Sequence, residues 1–335
     1  MIYPIKALIS NVRKEQRLKA FVTGAAGFIG SNLVDRLLAD GHAVTAFDNF
    51  STGRRSFLEK ALLHPDFRLI KGDVLNFEEL VGAMRNCDIV FHLAANADVR
   101  FGPDHPERDL QQNTVATFNV LEAMRKSGVD RIIFSSTGSV YGEATMIPTP
   151  ETLPMPVQTS LYGASKLAGE AMIQAYAESY GFKTWTFRFV GVLGERYTHG
   201  HVVDFYRQLS DDPRHLKVLG NGTQRKSYIY VQDCIEGILH AISTAREKVN
   251  IFNLGTDSFC TVKDCVKWIT EELALQPEIS FGTEDRGWIG DNPFIYLDTS
   301  KIRALGWSAK LTIEESIKRT VRYLKSDSEV VTSKK

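Results

Sequence analysis

The glycine-rich segment TGAAGFIG, residues 23–30, constrains the fold of this chain more than any other feature. A β-rich run, KAFVT, precedes it, and an amphipathic helical pattern, SNLVDRLLAD, follows it. Gly24, Gly27 and Gly30 have the spacing that permits a tight strand-to-helix turn, close approach of a phosphate to the backbone, and close helix–strand packing. A helix beginning near Phe28 would direct unpaired N–H groups at a pyrophosphate. The segment therefore predicts a dinucleotide-binding βαβ unit.

The alternation of strand and helix patterns continues through the first half of the chain. Further strands are predicted at residues 43–48, 67–71, 88–94, 131–136 and 183–190, with helical stretches such as NTVATFNVLEAMRKSG between them. This alternation is typical of a parallel sheet covered by helices on both faces, a Rossmann-like doubly wound α/β fold. Beyond about residue 192, prolines and glycines multiply, helices shorten, and the strands YIYV and NIFNL are isolated. We interpret that part as a smaller C-terminal lobe that binds the substrate.

The predicted organisation has four segments. At about 150 residues per domain, 335 residues suit two domains or one large one. We expect an N-terminal extension over residues 1–17 and a Rossmann domain, which also carries the catalytic residues, over 18–191. The substrate-binding lobe mainly occupies residues 192–325 and could share the sheet of the first domain, and residues 326–335 form a polar tail.

Composition excludes several classes of partner. Lys+Arg and Asp+Glu both number 40, so no net charge attracts the chain to nucleic acid or an anionic membrane. The four cysteines are scattered without metal-like spacing, as expected for reduced thiols in the cytoplasm. The start of the chain lacks the features of a signal peptide. No apolar stretch approaches the roughly 20 residues of a membrane helix, so we expect a soluble, cytoplasmic protein.

An acidic residue after the second strand favours one dinucleotide over another. Asp48 follows the glycine-rich segment by about 20 residues, where a carboxylate binds the adenosine ribose hydroxyls and repels a 2′-phosphate. NAD is therefore favoured over NADP, although Arg54 and Arg55 could accommodate that phosphate if they are not simply solvated. Asp73 follows the third strand and could contact the adenine, act as the N-cap of the helix FEELVGAM, or both.

Tyr162 and Lys166 in LYGASKLAGE stand four residues apart, so a helix places them one turn apart on one face. A tyrosine with a pKa of about 10 needs lowering by some three units, roughly 4 kcal/mol, to act as a base near neutrality. One ammonium at about 4 Å supplies approximately that at an effective dielectric near 20. Thr137, at the end of the preceding strand, can hydrogen-bond the substrate oxygen that Tyr162 deprotonates. Ser135, Ser136 and Ser139 compete for this role.

These motifs together resemble those of an extended short-chain dehydrogenase/reductase, in the NAD-dependent sugar-nucleotide epimerase/dehydratase family. TGAAGFIG, DNFSTGRR, GDV, HLAA, the Ser/Thr cluster, Y-x-x-x-K and GNGTQRKSYIYVQD match in order across residues 18–324. Within the family the chain is most similar to UDP-hexose 4-epimerases. The resemblance implies that Tyr162 removes the proton of the sugar 4-hydroxyl while C4 gives a hydride to tightly held NAD, which then returns it to the other face of the rotated keto sugar.

The resemblance also assigns site residues. Thr137 would orient the 4-oxygen, Lys166 would also bind the nicotinamide ribose, and Asn113 would help to form the site. Lys226 and Arg286 stand at positions that contact the substrate diphosphate, and neighbouring Arg225 could compensate for the lysine at 226, where an arginine is usual. The implied cofactor-binding residues are Gly24, Gly27, Phe28, Ile29, Gly30, Asp48, Asn49, Asp73, Val74, Ala94 and Lys166.

Two positions depart from the family pattern or leave it undecided. Gly191 replaces an asparagine that normally touches the sugar or its diphosphate, and the gap could admit a bulkier sugar. Ile295 stands where residue size tunes the acceptance of N-acetyl sugars, and isoleucine is of intermediate size.

Other activities remain as alternatives. The related 4,6-dehydratases usually carry an Asp-Glu pair directly after the threonine, but Gly138 and Ser139 stand there and cannot remove water. Uronate epimerases and decarboxylases stay open. A non-catalytic NAD-binding protein is disfavoured because Tyr162, Lys166 and Thr137 are all present. His199 and His201 have metal-like spacing without a further ligand nearby, so we expect no metal site and interpret them as loop or pocket residues.

We also expect a homodimer. Members of the family commonly pair two helices from each protomer, here residues 113–126 and 161–180, into a four-helix bundle. The apolar positions that suit such a face are Val115, Phe118, Leu121, Ile173 and Tyr176, although packing against the sheet would explain some of them equally well.

Overall fold

The computed structural model describes residues 17–96, 102, 104–154, 157–288 and 291–327. All but one residue of the predicted extension, and most of the polar tail, lie outside the described residues. The strands are β1 (Lys19–Thr23), β2 (Ala43–Asp48), β3 (Phe67–Lys71), β4 (Ile89–His92), β5 (Arg131–Thr137), β6 (Lys183–Phe189), β7 (Gly191–Leu193), β8 (His215–Val218), β9 (Arg225–Lys226), β10 (Tyr228–Tyr230), β11 (Val249–Leu254), β12 (Cys260–Thr261), β13 (Glu278–Phe281) and β14 (Phe294–Ile295).

Helices occupy most of the connections between these strands. They are α1 (Phe28–Ala39), α2 (Glu59–Leu62), α3 (Phe77–Met84), α4 (Pro106–Asp109), α5 (Ala116–Ser127), α6 (Leu161–Tyr180), α7 (His201–Asp211), α8 (Val231–Thr244), α9 (Val262–Leu273), α10 (Ser300–Arg303) and α11 (Ile313–Ser326). A π-helical segment, Leu110–Val115, joins α4 to α5. Among the described residues, no helix is long and apolar enough to span a membrane.

A seven-stranded sheet in the order β11-β6-β5-β4-β1-β2-β3 forms the centre of the molecule. All its pairings are parallel, so the carboxyl ends of β1, β4 and β5 lie on one edge. Side chains alternate between the faces: Ala20 and Val22 belong to one buried cluster and Phe21 to the other. Helices cover both faces, which confirms the predicted Rossmann-like doubly wound fold.

The part beyond residue 192 is more regular than the sequence predicts. The strand in NIFNL is not isolated, because β11 pairs with β6 and forms an edge of the main sheet. The strand in YIYV is not isolated either, since β10 pairs with β7. Helices α8 and α11 have 14 residues each, so the prediction that helices shorten was also wrong. Short strands complete this part as β12-β9-β14 and β13-β8.

Candidate active site

The glycine-rich loop between β1 and α1 is tightly packed. Gly24 has φ +66°, in the left-handed region, and a Cβ there would lie 2.7 Å from the backbone nitrogen of Ala94 after β4. A Cβ on Gly30 would overlap the carbonyl oxygen of Gly24. A side chain at either position would therefore force apart the loop, the helix and the neighbouring strand end. The close packing that the motif predicts is present.

The N-terminus of α1 has backbone donors but no side-chain cap. Gly27 is the N-cap and there is no acidic residue in the first turn. By contrast, α3, α6, α9 and α11 each have a side-chain cap, from Asn76, Ser160, Thr261 and Thr312. The first-turn N–H groups of α1, those of Phe28, Ile29 and Gly30, can therefore donate to a diphosphate. This end of the helix fits the cofactor that the motif predicts.

Asp48 links the end of β2 to this loop. One carboxylate oxygen accepts from the N–H of Ala26 and the other from the N–H of Phe50, both at 2.8 Å. Burial raises the pKa of Asp48, against the effect of these two hydrogen bonds. Each oxygen keeps a second lone pair that could accept from a ribose hydroxyl. The sequence did not reveal that the same carboxylate also holds the loop.

Asp73 lies beside Asn49, whose side-chain amide donates to its Oδ2 at 2.9 Å. Its Oδ1 accepts from the N–H of Leu75 at 2.9 Å, which forms a local turn. The N-cap of α3 is Asn76, so the interpretation of Asp73 as that cap was wrong. Val74, next along the chain, is buried in the core. The Asp73–Asn49 pair lies beyond the carboxyl ends of β2 and β3, where a nucleotide could bind.

The predicted catalytic residues meet where β5 ends and α6 begins. Tyr162 and Lys166 lie on α6, whose N-cap Ser160 accepts from the N–H of Gly163 at 3.0 Å. The Tyr162 side chain lies close enough to Thr137, the last residue of β5, for the Thr137 hydroxyl to lower the pKa of its phenol. The ammonium of Lys166 donates to the carbonyl oxygen of Ser135 at 2.7 Å. The structure therefore brings these residues together at the carboxyl edge of the sheet.

The protonation of this pair differs from the sequence-based prediction. Burial raises the pKa of Tyr162 to about 12, and nearby Asp109 raises it further, against the hydrogen bond to Thr137. Burial lowers the pKa of Lys166 to about 7, against the carboxylates of Glu170 and Asp109. The prediction that the Lys166 ammonium supplies approximately the whole lowering of the Tyr162 pKa was therefore wrong. Burial acts on both groups in the direction that disfavours their charged forms.

The serines near Thr137 have other partners. Ser135 donates to the carbonyl oxygen of His92 at 3.3 Å, and Ser136 donates to buried Glu170. Ser139 donates its N–H to the Thr137 hydroxyl oxygen at 3.1 Å. The Thr137 hydroxyl donates to Ser139 Oγ at 3.2 Å and is close enough to Tyr162 to lower the pKa of its phenol, which favours Thr137 over its competitors.

Asn113 lies in the π-helical segment, at the centre of a buried polar network. Its amide nitrogen donates to the hydroxyl of Ser165 at 2.9 Å and to Asp109 Oδ1 at 3.2 Å. Asn96 donates its backbone N–H to Asn113 Oδ1 at 2.8 Å and its amide to Asp109 Oδ1 at 2.8 Å. Asp109 is only 1% exposed. Through Ser165 the network is bonded to α6, the helix that carries Tyr162. Asp109 and Asn113 are four residues apart, and this i, i+4 spacing is the signal that could have revealed Asp109.

In the second lobe, Lys226 and Arg286 converge on one residue that sequence reasoning missed. Lys226 Nζ donates to Asp291 Oδ1 at 2.7 Å and to the carbonyl oxygen of Asn292. Arg286 donates to the backbone carbonyl oxygen of Asp291 at 3.0 Å and pairs with Glu143 at 2.7 Å. The two cations could together bind an anionic group.

Arg225 does not join them. Successive residues of a strand point to opposite faces, so Arg225 and Lys226 on β9 diverge. The guanidinium of Arg225 lies 3.7 Å from the ring centroid of Phe294 and 5.8 Å from that of Phe259. The suggestion that Arg225 compensates for the lysine at 226 is therefore not supported.

A tyrosine ring fills the space beside Gly191. The two residues are directly paired in β7 and β10, and a Cβ on Gly191 would lie 2.5 Å from the ring of Tyr228. The Tyr228 hydroxyl lies 3.5 Å from Nδ1 of His201, whose Nε2 has no hydrogen-bond partner within the described chain. Burial and Lys226 lower the pKa of His201 to about 4, so it is neutral. The predicted gap for a bulkier sugar is thus occupied by Tyr228.

The sequence analysis also singled out Ile295 and His199. Ile295 approaches the catalytic end, since its side chain would lie 3.5 Å from a Cβ on Gly138. His199 stacks on Tyr197, with ring centroids 6.2 Å apart. Over the described ranges, no three His, Cys, Asp or Glu side chains are grouped so that they could hold a metal ion.

Comparison with known proteins agrees with this geometry. A model of the NAD dependent epimerase/dehydratase family matches residues 20–255. The chain is 33% identical over 319 residues to the UDP-glucose 4-epimerase of Mycolicibacterium smegmatis, an alignment that covers 93% of this chain and 100% of the other. It is 30% identical to UDP-glucuronic acid decarboxylase 1 of Xenopus tropicalis, over 97% of this chain and 76% of the other.

Solved structures give the same result. The UDP-glucose 4-epimerase of Thermotoga maritima with UDP-glucose has a TM-score of 0.84 at 32% identity, over 92% of this chain and 99% of the other. The UDP-glucuronic acid 4-epimerase of Bacillus cereus, in complex with UDP-glucuronic acid and NAD, has a TM-score of 0.84 at 26% identity, with the same coverage.

The fold, the glycine-rich loop and the tyrosine–lysine helix define a dinucleotide-dependent enzyme of the α/β class. The chain belongs to the NAD-dependent epimerase/dehydratase family, which confirms the resemblance found in the sequence. It is an enzyme that uses NAD, and it falls among the UDP-sugar 4-epimerases and their UDP-glucuronate-directed relatives.

Proposed function

We propose that this enzyme interconverts the gluco and galacto forms of a UDP-hexose by transient oxidation at C4. The observation that carries the proposal is the position of Tyr162 beside Thr137, the last residue of β5 at the carboxyl edge of the sheet, one helical turn from Lys166 on α6. This arrangement can hold a sugar hydroxyl between two oxygens and move its proton. UDP-hexoses are favoured because a relative and a solved structure that match nearly the whole chain are named as UDP-glucose 4-epimerases.

In this mechanism Tyr162 removes the proton from the sugar 4-oxygen and later returns it. Thr137 donates a hydrogen bond to the same oxygen and so fixes its position. Lys166 supplies positive charge near the tyrosinate, and Asn113 and its network hold the start of α6 in place. NAD, when bound, accepts the C4 hydride and gives it back, so net oxidation is zero.

The cofactor would be held by the residues that the sequence assigned. The N–H groups of Phe28, Ile29 and Gly30 would donate to the diphosphate. Asp48 is the last residue of β2 and Asp73 follows β3, at the edge of the sheet where the adenosine would bind. Residues that share this role are Gly24, Gly27, Asn49, Val74, Ala94 and Lys166.

The nucleotide diphosphate of the substrate would bind Lys226 and Arg286. Both are cations that converge on Asp291, and a diphosphate can accept hydrogen bonds from an ammonium and a guanidinium at once. Arg225 stays outside this site because its guanidinium is stacked on Phe294.

The site does not favour dehydration. Removal of water from the sugar needs an acid and a base close to the threonine. Gly138 has no side chain, and Ser139 has only a hydroxyl, which accepts from the Thr137 hydroxyl at 3.2 Å and cannot replace a carboxylate pair. A UDP-glucuronate-directed activity is the second candidate, because relatives that act on UDP-glucuronic acid match at 30% identity over 97% of the chain.

We also propose a homodimer that pairs α5 and α6 of two protomers. Phe118 on α5 has 46% of its surface exposed and is available to a partner. Leu121 and Ile173 are fully buried within the protomer, so they contribute to its core instead. Val115 and Tyr176 are partly buried.

The test is a substrate panel. The purified enzyme is incubated without added cofactor with UDP-glucose, UDP-N-acetylglucosamine or UDP-glucuronate, and products are followed by proton NMR. We expect the matching galacto sugar from a UDP-hexose. A stable 4-keto-6-deoxy product would instead identify a dehydratase, and a pentose product from UDP-glucuronate would identify a decarboxylase.

A further inference from the structure

Asp291 occupies the point where both cations of the second lobe are held. Its Oδ1 accepts from Lys226 at 2.7 Å, and its backbone carbonyl accepts from Arg286 at 3.0 Å. Its Oδ2 accepts from the N–H of Gly287 at 3.0 Å, which closes the loop that carries Arg286. Only 3% of the Asp291 side chain is exposed. One buried residue therefore sets the positions of two cations from distant segments.

The hydrogen bonds of Lys226 determine the directions in which its N–H groups point. An ammonium has three protons and no fixed fork, so its acceptors decide where each N–H points. Two acceptors are Asp291 Oδ1 and the carbonyl oxygen of Asn292. The third N–H can then point at an oxygen of a bound ligand. Without the carboxylate, the ammonium would lose one of the two contacts that orient it.

Glu143 is the other anion of this cluster, and its situation is different. It pairs with Arg286 at 2.7 Å, but 52% of its side chain is exposed, so it can turn into solvent. Lys226, Arg286, Asp291 and Glu143 together carry no net charge. A bound diphosphate can replace Glu143 at Arg286, but the enclosed Asp291 stays in place. The cluster thus contains one fixed anion and one exchangeable anion.

We propose that Asp291 is a positioning residue for the substrate diphosphate, which holds Lys226 charged and aimed while the ligand displaces Glu143 from Arg286. This inference rests on the proposed function, in which Lys226 and Arg286 bind that diphosphate. The inference goes beyond the proposed function because it assigns opposite roles to the carboxylates of Asp291 and Glu143.

The role of Asp291 has a pH signature. Burial lowers the pKa of Lys226, Asp291 opposes this, and Arg286 adds to it. His201 and Cys260 are further titratable groups beside Lys226. His201 is neutral above pH 5 because its pKa is about 4, and the Cys260 thiol donates to the Lys226 carbonyl oxygen at 3.7 Å. Removal of the Asp291 charge lowers the pKa of Lys226 further, by about 1 to 3 units for a lost contact partner. The ammonium binds phosphate and the free amine does not, so affinity is lost as pH rises through this lowered pKa.

The experiment measures UDP affinity by titration calorimetry between pH 7 and 9.5. The phosphates of UDP are ionised throughout this range, because the second pKa of a phosphate is about 6. Loss of the uracil N3–H proton at the alkaline end affects every variant alike and cancels in the ratio to wild type. In D291N we expect the affinity to fall about tenfold per pH unit above the Lys226 pKa, relative to wild type. The matched variant E143Q should bind UDP as tightly as wild type or more tightly, with the wild-type pH profile. In a K226M background, D291N should not change the pH profile further, because no ammonium is left there to titrate.

D291E is the second variant, in case D291N does not fold. It keeps the charge but moves it by one methylene, so we expect weaker UDP binding at every pH with the wild-type pH profile. Two results would overturn this inference and leave the proposed function intact. One is wild-type affinity in D291E. The other is a wild-type pH profile in D291N together with weak UDP binding in K226M. A wild-type enzyme that does not bind UDP would overturn the proposed function as well.

Discussion

The cofactor end and the substrate lobe of this enzyme are specified in different ways. At the cofactor end, glycines allow backbone segments to approach within distances that no side chain permits, as at Gly24 beside Ala94. In the substrate lobe, the site depends on charge pairs between segments far apart in the chain, such as Lys226 with Asp291. The first kind of constraint is local in sequence, whereas the second exists only after folding.

The catalytic residues lie between these two regions, and their removal should have the largest effect. We expect Tyr162→Phe to lower turnover by about 10²- to 10⁴-fold, the usual contribution of a general acid–base group. Steady-state epimerisation rates measure the loss, and the NAD content of the purified variant is the control. Unchanged turnover would mean that another group moves the proton.

The cofactor end can be tested at two glycines with different surroundings. In Gly30→Ala the new Cβ overlaps the Gly24 carbonyl oxygen, so we expect loss of most of the bound NAD and destabilisation by about 1–3 kcal/mol. Gly41→Ala is the matched control, because Gly41 has φ +84° but nothing within 4 Å of its Cβ. It should cost about 1–2 kcal/mol and keep NAD. Equal NAD loss in both would contradict the packing argument.

The substrate lobe can be tested at two adjacent cations. Lys226→Met should weaken UDP binding by about 10- to 100-fold, which corresponds to the roughly 1.5–3 kcal/mol of a hydrogen bond to a charged group. Arg225→Met should change it by less than about threefold, because Arg225 lies on the other face of β9 and stacks on Phe294. Calorimetric titration with UDP decides between them. Equal losses would show that both cations reach the diphosphate.

The smallest expected effect is at Gly191. In Gly191→Ala the Cβ would lie 2.5 Å from the Tyr228 ring, so the ring has to move and the free energy of unfolding should fall by about 1–3 kcal/mol. Tyr228→Ala should relieve this conflict, so the double variant should lose less than the sum of the single variants. Denaturant unfolding measures all three. Additive losses would mean that the ring does not occupy this space.

The sequence was sufficient for the parts of the enzyme that local patterns determine. It predicted β1, β2 and β3 with their observed bounds, as well as the start of α1. It also predicted that Tyr162, Lys166 and Thr137 lie near one another, since Thr137 ends a strand and the other two lie in the first turns of the helix after it.

The rest depends on burial and on contacts between distant segments. The pKa of Tyr162 is raised, opposite to the predicted direction, because burial is the largest influence on it. The role of Asp291 needs the approach of β9 to the loop before β14, and no local pattern reports that contact. Placing Arg225 required knowledge of which face of β9 points to the site.

The central claim is that hydride leaves C4 and returns to C4 without exchange. The most direct test uses UDP-glucose with deuterium at C4 of the sugar, in ordinary water and without added cofactor, with products analysed by NMR. We predict UDP-galactose that keeps its deuterium at C4. Loss of that deuterium to solvent protons would contradict the account, because it would show that C4 exchanges its hydrogen as a proton.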